Sequence, residues 1–277
     1  MIVKSLTELP LRRLTQAAET VKLQAYHHNM KEGTSPVRKK LLAAAFWLLV
    51  WEALAYTLAL PFAVPTVEST AAALLRLCVT ADFWLTVAAS LGRILAGLLA
   101  GVALGTVLAG LTMHSGIAEA LISPVQKIIR CTPVASFILL LWILAGRDAV
   151  PQLIALLMVS PVIWEGLCEG SRQLDRQLGE VLTVFRASPW RRLRLLILPG
   201  LRSGFLSSLA TAAGLAWKAG VAAEIIAYTN HSIGRNIADA RNLFDGPSMM
   251  AWTWVVILLS LLLERLIRRL SEGSHEA

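Results

Sequence analysis

The chain has 277 residues, 56% hydrophobic and only 16% charged, with a mean hydropathy of +0.63. Soluble domains run at about 45–50% apolar and about 25% charged, so an ordinary soluble globule is excluded. The net charge of +8 is distributed as membrane topology requires and gives no reason to invoke nucleic acid. Cys78, Cys131 and Cys168 lie in or beside apolar runs, without metal-ligand spacing and in an odd number. They read as small apolar side chains, not as a disulfide framework or a metal site.

Residues 1–40 are mixed and basic and read as a cytoplasmic N-terminal segment with a helical patch that could lie on a membrane surface. His27 and His28 have no Cys or carboxylate at a matching interval and fit a solvated helix end. Some forty polar residues before the first apolar run are expected to exclude a cleavable signal. Six spanning helices are expected after that, since about 20 apolar residues cross a hydrocarbon core of about 30 Å and a helix satisfies its own backbone in lipid. They cover 41–60, Phe83–Leu111, Ile117–Ala145 (interrupted by Pro124 and Pro133), Val150–Leu167, Leu201–Ala227 and Met249–Ile267. An extracytoplasmic segment at 61–82 carries the short amphipathic piece "TVESTAAALLRLC", and 269–277 is a cytoplasmic tail.

The loop charges orient the chain. An even number of crossings puts both termini on one side. That side holds eight basic residues from Lys4 to Lys40, together with Arg172, Arg176, Arg186, Arg191, Arg192, Arg194, Arg202, Arg265, Arg268 and Arg269. The other side has only Arg76, Arg147, Arg235 and Arg241. Both termini are therefore expected in the cytoplasm, and Trp84, Trp142, Trp252 and Trp254 near the outer interface.

On this topology "SRQLDRQLGEVLTVFRASPWRRLRLLILPG" is a cytoplasmic loop of two short helices. Leu174, Leu178, Val181 and Phe185 share one face at helical spacing. Ser188-Pro189 signals a helix start, Leu193, Leu196 and Ile197 form a second stripe, and Pro199 is expected to stop it. Two uses fit such a hairpin: docking to a protein, or an interfacial helix whose arginines meet anionic head groups.

The segment resembles the "EAA" coupling loop of permease subunits of type I ABC importers. Glu180, Ala187, Ser188 and the close "LILPG" match that pattern, while Val181, Leu182 and Arg186 depart from it, Arg186 standing where a Gly is usual. "LGRILAGLLAGVALGTVLAG", "SPVQKIIRCTPVASFILLLWILAG", "LAWKAGVAAEIIAY" and "IGRNIADARNLFD" are similar to the nitrate/sulfonate/taurine branch. The resemblance implies an all-α integral membrane fold, an ABC transmembrane type-1 domain over 80–268 with its coupling loop at 170–200. It implies a second permease copy, two cytoplasmic ATPase subunits that carry ATP and Mg, and an extracytoplasmic solute-binding protein, in the cytoplasmic membrane. The chain has no phosphate loop of its own, so no cofactor is expected on it. Glu180 would anchor the ATPase, with Val184, Phe185, Ala187 and Ser188 at the knuckle and Pro199 closing the loop. A Gly at 186 would permit a left-handed turn; the Arg implies either an ordinary turn or an acidic groove on the partner.

Arg93, Lys127, Arg130, Glu165, Glu169, Lys218 and Glu224 lie in or near spanning segments, where a charge costs about 2.5–3.5 kcal/mol on insertion scales. Ion pairs within the bundle and contacts with solute both fit them. Arg93, Arg130, Lys218 and Glu224 are the pathway candidates. Arg130, beside the break at Pro133, would suit an anion or pair with Glu224; Glu165 and Glu169 suit a wetted helix end. Gly97, Gly101 and Gly105 form one face of the second helix and predict close packing inside the subunit. The competing readings are a stand-alone secondary carrier or channel, which would need midplane acids and often an inverted repeat, and a membrane enzyme, for which no constellation is present.

Overall fold

The computed structural model describes residues 36–272, all of its regular structure helical. The expectations for the N-terminal segment and the last five residues therefore lie outside the described residues. The chain divides into two units at Thr57/Leu58. The first contributes α1 (Pro36–Leu58), an apolar helix long enough to cross a membrane.

The second unit opens with α2 (Val67–Cys78) and α3 (Ala81–His114). Thr66 and Thr80 cap their starts, each hydroxyl accepting from the backbone N–H three residues on. Next come α4 (Gly116–Cys131), capped by Ser115, and α5 (Val134–Ala145). They replace the single interrupted helix expected over Ile117–Ala145. Pro124 leaves α4 unbroken, whereas at Pro133 the axis turns by 103°. Thr132, the residue before Pro133, is extended (φ −78°, ψ 132°), as the proline ring demands. The pair still carries the chain from one end of the bundle to the other. Glu119 at its start bonds Arg172 (3.2 Å), while just past its end Arg147 and Asp148 meet Thr229 and Asn230.

Helix α6 (Val150–Arg172) is the centre of the unit, packed between α3 and α9 (Leu198–Ala227). Ile94, Leu98, Ala155, Val159, Ile163, Ala213, Ala216 and Trp217 fill the space between the three helices. The glycine face of α3 lies directly against α6: a β-carbon at Gly101 would sit 2.7 Å from Val159 Cβ, and one at Gly105 2.7 Å from the Ser160 carbonyl. That is the packing within the subunit expected from the spacing, and Gly97 continues it at Gln152 and Ala155. Two buried indole bonds lock the neighbours: Trp164 donates to Thr112 (2.9 Å) and Trp217 to the Val256 carbonyl (3.0 Å). The short α10 (Ile233–Asn242) and the long α11 (Gly246–Glu272) complete the unit. Trp252 is buried against Phe83 (ring centroids 5.2 Å), next to Trp84. Trp84 and Trp142 are exposed.

Five described helices, or six with the bent pair, are long and apolar enough to cross a membrane. Because packing at the glycine face leaves no room for a side chain, Gly101→Leu should destabilise by about 1–3 kcal/mol and lower the melting temperature in detergent. Gly110→Ala, at a glycine with open space around it, should leave the melting temperature unchanged.

Candidate functional site

The link between α6 and α9 is a hairpin built from strong local signals. Asp175 caps α7 (Arg176–Val184), its Oδ1 accepting from Gln177 N–H (2.8 Å) and Leu178 N–H (3.3 Å). At its other end Ala187 N–H donates to the Leu182 carbonyl (2.9 Å) and Arg186 N–H to the Thr183 carbonyl (3.0 Å). These are the paired bonds of a Schellman cap, which places the residue at the turn in the left-handed region. That residue is Arg186, at φ +50°. The turn is thus not the ordinary one that an arginine suggests. It is the turn a glycine favours, at a strain of about 1–2 kcal/mol for a residue with a β-carbon.

Helix α8 (Pro189–Arg192) starts where Ser188-Pro189 predicts, Ser188 Oγ accepting from Arg191 N–H (3.4 Å). Pro199 does not stop the second arm of the hairpin, contrary to expectation. Leu193–Ile197 form a π-turn, in which Leu198 N–H reaches the Leu193 carbonyl, and the axis runs on into α9. The wider turn lets the chain pass a residue that has no N–H to donate. Leu174 packs on Gly200 and Leu196 on Gly179, closing the base of the hairpin. A groove of about 920 Å³ remains between its arms, lined among others by Glu180, Thr183, Val184 and Arg192. Glu180 has no hydrogen-bond or ion-pair partner among the described residues. At the tip Val184 and Phe185 are each 80% exposed and Trp190 69%; Ser188 is exposed and Ala187 half-buried.

The membrane-embedded charges sort differently from the sequence expectation. Glu224 pairs with Arg93 (3.4 Å), not with Arg130. Its carboxylate is fully buried and also accepts from Ser90 Oγ (3.0 Å) and Gly234 N–H (3.1 Å), at the start of α10. Arg93 donates in addition to the His231 carbonyl (2.7 Å). Arg130 pairs with Glu165 on α6, and both are about half exposed. Lys218 is exposed and lies apart from these pairs. Among the described residues no cluster of His, Cys, Asp or Glu could hold a metal.

A helical bundle of this kind is matched by known proteins. The family model for the binding-protein-dependent transport system inner membrane component matches residues 101–273, more than half of the chain. The chain belongs to this family. Similar proteins include a probable ABC transporter permease of Brucella abortus strain 2308, 28% identical over 196 residues (68% of this chain, 77% of that protein). The taurine transport system permease protein TauC of Escherichia coli K12 is 28% identical over 193 residues, 69% of each chain. Among solved structures, an amino acid ABC transporter crystallised with histidines matches at TM-score 0.57 and 16% identity, over 68% of this chain and 94% of that one. The inward-facing MetNI methionine ABC transporter matches at 0.50 and 17%, over 69% and 93%. Identities this low bear on the fold alone, which is that of ABC transporter transmembrane domains. The chain is thus a multi-pass permease subunit of an ABC importer of the inner membrane. It is a transport subunit and not an enzyme, with the ATPase on a separate subunit.

Sequence reasoning missed the clasp at the permease's other end. Asp148 accepts from Asn230 through both its backbone N–H (2.9 Å) and its side-chain amide (3.1 Å). Arg235 bonds Asn230 Oδ1 (2.7 Å) and lies over the Tyr228 ring, 4.8 Å from its centroid. Tyr228 and His231 adopt positive φ, so a turn between two helices holds the group together. Its only trace in the sequence is the polar run "YTNHS".

Removing one partner of a buried pair strands the other, so Glu224→Ala should cost about 3–5 kcal/mol, read as thermal stability in detergent. The Arg93→Met/Glu224→Met double variant should cost less than the sum of its singles. The backbone bond from Asn230, with help from its side chain and from Arg93 and Arg147, holds the Asp148 carboxyl below its ordinary range despite some burial. A lowered native value means that the clasp is at full strength above the ordinary carboxylate range and fades as pH falls through the lowered value. Hydrogen exchange at the Asn230 amide should therefore stay protected to a lower pH than a free aspartate would allow, and Asp148→Asn should remove that dependence.

Proposed function

We propose that this permease couples to its ATPases through the 170–200 hairpin, with a second copy of the chain completing the membrane unit. A solute-binding protein on the extracytoplasmic side delivers the solute, and two ATPase subunits carry ATP and Mg in the cytoplasm. The loop charges put both termini and the hairpin in the cytoplasm, with lipid as the remaining surroundings and no role for nucleic acid. The solute is a small anion of the sulfonate, taurine or nitrate kind, a reading supported by the similarity to a taurine permease.

The observation that carries the coupling role is the hairpin tip: two apolar side chains four-fifths exposed beside a Glu with no partner among the described residues of its own chain. Val184 and Phe185 fill an apolar socket on the ATPase, and Glu180 anchors the rim of the contact. Ala187 and Ser188 set the turn, and Pro199 marks the point where the hairpin passes into α9. Arg186 holds its guanidinium out from a left-handed turn, where an acidic partner surface receives it. Nucleotide-driven closure of the ATPases would then rock α6 and α9 as rigid arms.

The test separates turn from charge. Arg186→Gly keeps the left-handed turn, whereas Arg186→Glu keeps a side chain but reverses its sign. Copurification of the partner ATPase should fall by roughly tenfold or more for Arg186→Glu, about the penalty of a like-charge contact, and only modestly for Arg186→Gly. Unchanged copurification and uptake in Arg186→Glu would remove the acidic groove from the account.

A further inference from the structure

Helix α9 buries one side and leaves the other uncovered. Ala212, Ala213, Ala216, Trp217, Gly220, Ala223 and Glu224 face the core. Ser203, Ser207, Thr211 and Lys218 are all exposed, at steps of four, four and seven residues that keep them on a single face. A cavity of about 360 Å³ opens there, lined by Ala210, Thr211, Gly214, Leu215, Lys218 and Glu264 of α11.

Lys218 lies in an apolar stretch long enough to span the membrane, nine residues short of its end, or about 14 Å along the axis. An ammonium at such depth does not face hydrocarbon; it faces water or a partner. Of the other embedded cations, Arg93 is taken by Glu224 and Arg130 by Glu165, while Lys127 of α4 is exposed and, like Lys218, has no ion-pair partner among the described residues. Lys218 has no hydrogen-bond or ion-pair partner among the described residues. Glu264 lines the same cavity without an ion pair to Lys218.

We infer that this face of α9 is wetted and that Lys218 takes the anionic group of the transported solute, a sulfonate or carboxylate, as it passes. The inference rests on the reading of the chain as the importer's pathway subunit. Ser203 and Ser207 supply hydroxyl donors along the approach, Thr211 already donating to the Ser207 carbonyl (3.2 Å), and Gly214 keeps the cavity floor open, with nothing within 4 Å of where its β-carbon would be.

The experiment uses the full chain in the assembled complex, with Cys78, Cys131 and Cys168 replaced by Ser or Ala. Thr211→Cys is the reporter, and Ser207→Cys a second in case the first fails to assemble. Two water-soluble methanethiosulfonates are the probes, one ending in a sulfonate and one in a trimethylammonium. Both should label the reporter. Adding Lys218→Met should slow the sulfonate probe roughly tenfold without slowing the ammonium probe, and Lys218→Arg should restore the rate. No labelling by either probe at both positions would mean that the face is sealed by lipid or by a second copy, which overturns the proposal. Equal slowing of both probes would also overturn it, reducing Lys218 to a structural role. ATPase copurification on the same preparations reads the permease assignment separately: its loss with the labelling pattern intact would count against the coupling reading alone.

Discussion

The fold depends on two backbones coming into contact where no side chain can stand between them. Lipid tails are as apolar as leucine, so helices inside a bilayer gain little from hydrophobic burial against each other and associate through close packing and hydrogen bonds. Gly97, Gly101 and Gly105 supply the packing, letting α3 lie on the 152–163 stretch of α6. On its other side α6 meets α9 in the same manner, at Gly166 and Gly204. With both flanks at backbone distance, α6 cannot shift without carrying its neighbours along.

That rigidity gives the two ends of the bundle different characters. At one end a buried carboxylate ties three elements together, since Glu224 of α9 binds Ser90 and Arg93 of α3 and the first turn of α10. A pair of this kind is weak evidence for stability by itself. Its specificity lies in geometry, because Gly234 is the only residue type that lets the backbone approach the Glu224 stem. At the other end nothing among the described residues ties the hairpin tip to the rest of the chain, and its largest apolar side chains point into solvent. One end is clasped within the subunit, and the other stands open among the described residues.

Much of this is legible in the sequence because membrane helices announce themselves by length and apolarity, and caps by Ser, Thr or Asp ahead of a helical run. The hairpin, the start of its second arm at Ser188-Pro189 and the glycine face all come from local pattern. The features that escape the sequence depend on distance in space. Glu224 has several basic residues within plausible reach, and only the crossing of α3 with α9 selects Arg93 over Arg130. Pro199 reads as a stop because a proline removes a helical donor, yet a π-turn just before it re-registers the bonds and the helix continues. Arg186 misleads for a related reason: side-chain preference argues for an ordinary turn, whereas the two bonds of the Schellman cap fix the backbone regardless of the residue that occupies it.

The left-handed Arg186 and the π-turn are both departures from the cheapest backbone, and both lie in the one segment that joins α6 to α9. Such strain persists only where the surrounding bonds over-determine it. Here the Schellman pair fixes one side of the tip, and the contacts of Leu174 with Gly200 and Leu196 with Gly179 fix its base. Held at its tip and base, the hairpin is braced as one piece. The π-turn runs without a break into α9, the helix that carries Lys218 on its open face and Glu224 on its closed one.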